Sequence, residues 1–361
     1  MSALFKINSS IKSYDVEILR DLLFNDRYQP KQNFVLVDKL VLDLYPYLLS
    51  ENLISIPAVE KSKSLETVAF VIERLRSLGA NRSSHLVAVG GGIIQDMVTF
   101  SASVFMRGIT WEYYPTTLLG MVDSCVGGKS SINVGQYKNI AGNFYPPEKI
   151  VIDTMFCGTL QHVEMISGLC EAVKICFADR GTKFDDYLKL TNNDGLVSEK
   201  NLSQIISLSL LTKKEFIEED EFDTGVRLLL NFGHTFGHAI EGAGDFSITH
   251  GVAVGLGMQM AIHISSQLDG EVNDSDRAHK LNDYLTKLLQ GVPDLAVKLN
   301  NIPSEIFLSK FQSDKKHTSS VYVIIIPDAN GFLIRQFINK NNKIEQLLIN
   351  ALVFIKGRYE V

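Results

Sequence analysis

Three of the eight histidines in this 361-residue chain fall within residues 225–250, where their types and spacing could hold a metal ion. His234 and His238 stand four apart, so on a helix both imidazoles share one face. His250 follows Gly242, Gly244 and Asp245, which read as a turn, and it opens the apolar run 251–264. A turn between two helices can bring His250 back onto His234. A neutral imidazole is the commonest metal ligand, and a catalytic zinc takes about three protein ligands and keeps one position open. The competing reading is two capping or core histidines and one on the surface.

Other residues could hold anions. The strand-like run 86–89 leads into Gly90, Gly91 and Gly92 and then an apolar helix. Glycines at such a turn let backbone N–H groups approach a pyrophosphate at the helix N-terminus. A dinucleotide fingerprint would place a further glycine where Gln95 stands, so a plain tight turn remains an alternative. Thr116 and Thr117 end the next strand; their hydroxyls could reach the same ligand or cap a helix. The run Gly127-Gly128-Lys129-Ser130 is not a P-loop, because Asp123 occupies the position that needs glycine. Paired glycines before a lysine still make an anion nest. Lys138 and Asn139 follow in a Gly- and Asn-rich loop, and two such lysines suit a phosphate or carboxylate, or simply solvent. Glu171 and Lys174 are spaced i, i+3 on an otherwise apolar helix face. A carboxylate there must be paired or metal-bound.

Positioning these groups requires ordered elements. Candidate strands 34–38, 53–57, 86–89, 111–114 and 150–153 alternate with helical runs such as 64–78, a pattern of α/β type with a largely parallel sheet. From about residue 160 the periodicity is mostly helical, with helices over 165–177, 201–219 and 344–356 and a hairpin of strands 321–327 and 332–337. The expected fold is an α/β N-terminal Rossmann-like domain, residues 1–158, followed by a mostly α-helical C-terminal domain, residues 159–361. Length suits two domains, and 45% hydrophobic and 21% charged residues are ordinary for a globular chain. No apolar run reaches the ~18 residues of a membrane span, and the first residues lack a signal-peptide pattern. Cys125, Cys157, Cys170 and Cys176 form no C-x-x-C pair, which reads as reduced and cytoplasmic. A net charge of −6 argues against bulk nucleic-acid binding.

The motifs VDSCVGGKSSIN, KNIAGNFYPP, GLCEAVK, RLLLNFGHTFGHAIE and THG, in this order over residues 59–327, resemble the dehydroquinate synthase family of sugar-phosphate cyclases. The resemblance implies NAD and one divalent metal, zinc or cobalt, as cofactors. It puts the metal on Glu171, His234 and His250, and makes His238 a substrate residue rather than a ligand. Substrate contacts fall on Arg107, Asp123, Lys129, Lys138, Asn139, Lys174, Lys213, Arg227, Asn231, His238 and Lys316, the last chosen over Lys315. Of these, Lys129, Lys174, Lys213, Arg227, Asn231 and His238 carry the catalytic roles. NAD contacts fall on Asp38, Glu60, Lys63, Gly91, Gly92, Asp96, Thr116, Thr117, Asp123 and Lys138.

The implied reaction oxidises a ring alcohol of 3-deoxy-D-arabino-heptulosonate 7-phosphate transiently, eliminates phosphate, reduces the ketone again and closes the carbocycle by an aldol step. The implied assembly is a homodimer, with Arg107 reaching the neighbouring copy's phosphate site. Two departures stand out: Gln95 and Thr99 replace glycines usual in the first loop, and lost flexibility there is expected to weaken or reposition NAD. The alternatives are a cyclase of the 2-epi-5-epi-valiolone, 2-deoxy-scyllo-inosose or amino-dehydroquinate type, and a metal-dependent NAD polyol dehydrogenase. Retention of Lys174, Lys213, Arg227 and Asn231 favours the carboxylated substrate.

Overall fold

The computed structural model describes residues 3–19, 33–48, 51–135, 137–268 and 275–360. The chain forms two compact units, Met1–Leu160 with Lys213–Glu221, and Gln161–Thr212 with Phe222–Val361.

In the first unit the elements run β1 Ala3–Ile7, β2 Tyr14–Leu19, β3 Phe34–Asp38, α1 Lys39–Leu44, β4 Leu53–Ile56, α2 Leu65–Ser77, β5 His85–Gly90, α3 Gly92–Val104, β6 Thr110–Pro115, β7 Ile132–Val134, β8 Tyr137–Ala141 and β9 Lys149–Asp153. Among the described residues the main sheet has seven strands in the order β1-β2-β9-β6-β5-β3-β4. All its pairings are parallel except β1 with β2. Val35, Leu36 and Val37 of β3 and Leu86, Val87, Ala88 and Val89 of β5 are all buried. Such unbroken burial is what a parallel strand covered on both faces requires. The five expected strands and the parallel sheet are therefore present.

Strands β1 and β2 are additions that the sequence reading did not contain. Their burial alternates, as in the BiBiBi pattern of β2, and the run is short and interrupted by Ser and Lys. The stretch around Lys138 and Asn139, expected as a loop, is a small antiparallel hairpin of β7 and β8. From β3 the chain leads outward to β4, and from β5 it leads the opposite way to β6. The carboxyl ends of β3 and β5 thus flank a topological switch point, where open α/β sheets leave a crevice for a ligand.

The second unit contains α4 His162–Ala178, α5 Lys183–Lys189, most of α6 Glu199–Glu219, α7 His234–Ala243, α8 His250–Leu268, α9 Asp276–Leu289, α10 Leu295–Asn300 and α11 Ser304–Gln312. The antiparallel pair β10 Val321–Pro327 and β11 Leu333–Asn339 follows, then α12 Asn342–Tyr359. Helix α8 is buried almost throughout its first four turns. Two glycines explain how closely its neighbours approach. A Cβ on Gly257 would lie 2.1 Å from the Gly233 carbonyl oxygen just before α7, and one on Gly251 would lie 2.0 Å from the Ser167 carbonyl oxygen of α4. No helix of the described residues is long and apolar enough to cross a membrane.

Candidate functional site

The close approach of α4, α7 and α8 brings one carboxylate and three imidazoles together. Glu171 on α4 is fully buried. Its Oε1 lies 3.9 Å from His234 Nε2 and 3.5 Å from His250 Nε2. Its Oε2 pairs with the ammonium of Lys174, also buried. The two readings of Glu171, internal ion pair and metal ligand, thus use different oxygens of one carboxylate. Ring nitrogens of His234, His238 and His250 lie within 4.8 Å of one another.

This donor set fits a divalent cation. Two ligands each ~2 Å from a tetrahedral zinc stand about 3.3 Å apart, comparable with the 3.5 Å between Glu171 and His250. Both facing nitrogens are Nε2, because the other nitrogen is engaged. His250 Nδ1 lies 3.0 Å from Glu241 Oε2, and His234 Nδ1 lies 3.4 Å from the Phe232 carbonyl oxygen. An N–H on Nδ1 donating to these acceptors leaves the Nε2 lone pair for a cation, the arrangement that orients metal-bound imidazoles. Burial works to lower the His250 pKa, but the Glu241 hydrogen bond and the charges of Glu241 and Glu171 outweigh it, so the ring titrates above its ordinary value.

Glu241 is not among the site residues expected from the sequence. Its spacing, three residues beyond His238 on the same helix, was the available signal.

His238 sits one turn along α7 from His234, their ring centroids 5.4 Å apart. Surrounding protein, then the neighbouring His250 and Lys316, push its pKa down to about 4, although part of the ring stays open to solvent. Lys316 acts on it and pairs with Asp314 at 2.7 Å. Lys315 is exposed. Arg227, buried, and Asn231 occupy the 3-10 turn Val226–Asn231 that precedes α7. Asn231 donates to the Leu228 carbonyl at 3.1 Å.

In the first unit some of the expected nucleotide residues stand at strand ends, while Asp96 lies within α3, Asp123 in the turn Gly120–Ser124 and Lys138 within β8. Asp38 ends β3, caps α1 through Leu40 N and accepts from Ala58 N at 3.1 Å. Gly91 caps α3, with no side chain of its own to do so. Thr117 Oγ1 accepts from Gly120 N at 3.1 Å, so this hydroxyl serves as a local cap, while Thr116 is buried and its N–H bonds Gly90 O at 3.0 Å.

Lys63 pairs with Asp96 at 2.7 Å, and Asp96 also accepts from Ser131 N. Burial raises the Asp96 carboxyl to about 6 in spite of Lys63. Glu60 accepts from Asn133 Nδ2 at 2.8 Å and stands 3.7 Å from Lys138 Nζ, while Asn133 Oδ1 accepts from Asn139 N. Asn133, which sequence reasoning did not single out, therefore ties the β7–β8 hairpin to Glu60.

Lys213, on the part of α6 that groups with this unit, donates to the Asp123 carbonyl at 2.6 Å and pairs with its carboxylate. Lys129 stands over the Phe144 ring at 5.9 Å. Arg107 is exposed on a strained segment: φ is +51° at Met106 and +70° at Arg107, a left-handed pair costing roughly 1–3 kcal/mol per residue.

A parallel α/β unit with a topological switch point, and a largely helical unit in which a buried carboxylate meets imidazoles, define the fold class as an α/β domain followed by a mostly helical one. Residues 53–167 match the 3-dehydroquinate synthase N-terminal family and residues 168–317 match the 3-dehydroquinate synthase C-terminal family. A 3-dehydroquinate synthase of Natranaerobius thermophilus is 40% identical over 288 residues, 78% of this chain and 76% of that protein. The chain belongs to the 3-dehydroquinate synthase family.

Solved structures share its fold. The 2-deoxy-scyllo-inosose synthase complexed with carbaglucose-6-phosphate, NAD+ and Co2+ superposes with a TM-score of 0.81 at 23% identity, covering 97% of this chain and 99% of that one. The 2-epi-5-epi-valiolone synthase of Streptomyces hygroscopicus subsp. jinggangensis, with NAD+ and Zn2+ bound, gives 0.78 at 24% identity, with 97% and 99% covered.

Proposed function

We propose that this chain converts 3-deoxy-D-arabino-heptulosonate 7-phosphate to 3-dehydroquinate and phosphate, a phosphate-eliminating lyase reaction of the shikimate pathway carried out by a cytoplasmic homodimer. The observation that carries the reading is the convergence of Glu171 Oε1 with the Nε2 atoms of His234 and His250 in a member of this family. Glu171, His234 and His250 hold one divalent cation, zinc or cobalt. When bound, NAD supplies reversible oxidation at a ring carbon and the cation supplies Lewis acidity at its oxygen.

The remaining work belongs to this chain's own side chains. Asp123, Gly91, Gly92, Asp96, Thr116 and Thr117 contact the nucleotide from the first unit, with Asp38, Glu60, Lys63 and Lys138 around it. Asp123 also takes a substrate hydroxyl. Lys174 and Lys213 bind the carboxylate and nearby hydroxyls. Lys129, Arg227, Asn231 and His238 receive the departing phosphate and stabilise the negative charge that grows on it. With its pKa pushed to about 4, His238 is neutral at pH 7 and offers a neutral N–H, while Lys316 supplies charge beside it. Lys138 and Asn139 complete the phosphate contacts, and Arg107 reaches a second copy. Holding one conformer enclosed keeps reactive intermediates on the productive course.

Purified protein with NAD and zinc is expected to release phosphate from the carboxylated heptulose phosphate without net NADH. Turnover of sedoheptulose 7-phosphate instead would point to another cyclase, and net NADH from a polyol to a dehydrogenase.

A further inference from the structure

Gln95 occupies a position where the sequence pattern leads one to expect glycine, and its side chain does not project into open space. It is buried on the first turns of α3. Its Nε2–H donates to the Ser124 carbonyl at 2.7 Å, and its Oε1 accepts from the Ser124 hydroxyl at 2.8 Å. Both ends of the amide are thus bonded to one residue. Thr99, the other departure, donates its hydroxyl to the Gln95 carbonyl at 2.7 Å.

Ser124 ends the π-helical turn Gly120–Ser124 and adjoins Asp123, which Lys213 pairs. The same turn runs beside Gly92, where a Cβ would lie 3.7 Å from Ser124 Oγ, and the residue three before it, Thr117, runs beside Gly91, where a Cβ would lie 3.0 Å from Thr117 Cγ2. A glycine at 95 would remove both of these side-chain hydrogen bonds between the helix and the turn. Here a two-bond strut joins them directly.

We propose that Gln95 is a positioning residue, whose amide locks the Asp123 turn to the start of α3 so that nucleotide turn and Asp123 are held as one piece. This rests on the proposed function, since it takes Gly91 and Gly92 as nucleotide contacts and Asp123 as a contact of nucleotide and substrate hydroxyl. The expected flexibility loss from Gln95 and Thr99 then acts in the opposite sense. Rigidity is transferred to the neighbouring turn, and NAD binding benefits.

The test is a double-mutant cycle on the full-length protein with Gln95→Ala, Ser124→Ala and the pair, reading NAD Kd by direct titration and kcat and KM by phosphate release. Removing one partner of such a buried pair is expected to raise NAD Kd and lower kcat/KM by about tenfold. Gln95→Ala removes both bonds and Ser124→Ala only the hydroxyl one, since the Ser124 carbonyl still accepts from Gln95, so the double variant should be no worse than Gln95→Ala alone. Ser124→Ala deletes only a hydroxyl and decides the matter if Gln95→Ala does not fold. Effects that simply add overturn the inference. So does a lower melting temperature with NAD Kd and kcat/KM unchanged at 25 °C, since that is what packing alone produces. Wild-type protein that binds NAD but releases no phosphate overturns the proposed reaction and leaves the NAD arm of the cycle to judge Gln95.

Discussion

The cluster around Glu171 and the turn around Gly91 are built on opposite plans. The first is made by helix backbones brought nearly into contact, with a carboxylate shut away from solvent and oriented imidazoles around it. The second is made by the ends of parallel strands, with backbone N–H groups, one largely buried and one exposed ion pair, and an exposed hairpin. The difference teaches that glycine serves two ends in one chain. In the helical unit it admits a neighbouring helix. At the strand ends Gly92 has open space around it, its would-be Cβ meeting nothing nearer than Ser124 Oγ at 3.7 Å, where the proposed nucleotide would approach.

The comparison can be broken most forcefully at Glu171. Glu171→Gln keeps the shape but removes the charge that answers the cation, and it leaves the buried Lys174 ammonium facing a neutral amide. Cation affinity, read by competition with a chelator, is expected to fall at least ~100-fold, beyond what loss of an orienting partner costs, and phosphate release with it. A fall under threefold would detach Glu171 from the cation.

Next in size is Gly257→Ala. Its Cβ meets the Gly233 carbonyl oxygen at 2.1 Å, so the α7–α8 contact must open, at roughly 1–3 kcal/mol. Denaturant midpoints report this loss directly. A wild-type midpoint would mean that close backbone approach does not assemble the cluster.

The smallest expected change in stability is that of Gly92→Ala, whose Cβ meets nothing nearer than Ser124 Oγ at 3.7 Å. Stability should stay within ~0.5 kcal/mol of wild type. NAD affinity should nevertheless fall severalfold, because a methyl group would stand where a pyrophosphate approaches the backbone. Equal losses of stability at positions 92 and 257 would erase the distinction between the two plans.

Much of this is legible in the amino-acid sequence. The continuous apolar runs in β3 and β5 announce strands covered on both faces. The spacing of His234 and His238 announces one helix face, and the Gly-rich run at 242–244 announces the turn that returns His250. The hairpin at β10 and β11 is likewise signalled by the turn residues between them. Strands β1 and β2 were not legible, because short half-exposed runs among polar residues resemble loop, and only the pairing of β2 with β9 and of β1 with β2 makes them strands. The β7–β8 hairpin is hidden for the same reason, its strands being short and largely exposed.

Residue types and local periodicity therefore determined which side chains are available: the carboxylate, the imidazoles, the lysines and the glycines between them. That information is local, carried by propensity and by which face of an element is apolar. Tertiary structure alone decided that Glu171 divides its oxygens between Lys174 and the imidazoles, that Glu241 orients His250, and that Gln95 reaches across to Ser124. Those contacts join residues whose partners are chosen by packing, and the energy of a buried charge or amide depends on what surrounds it rather than on what precedes it in the chain.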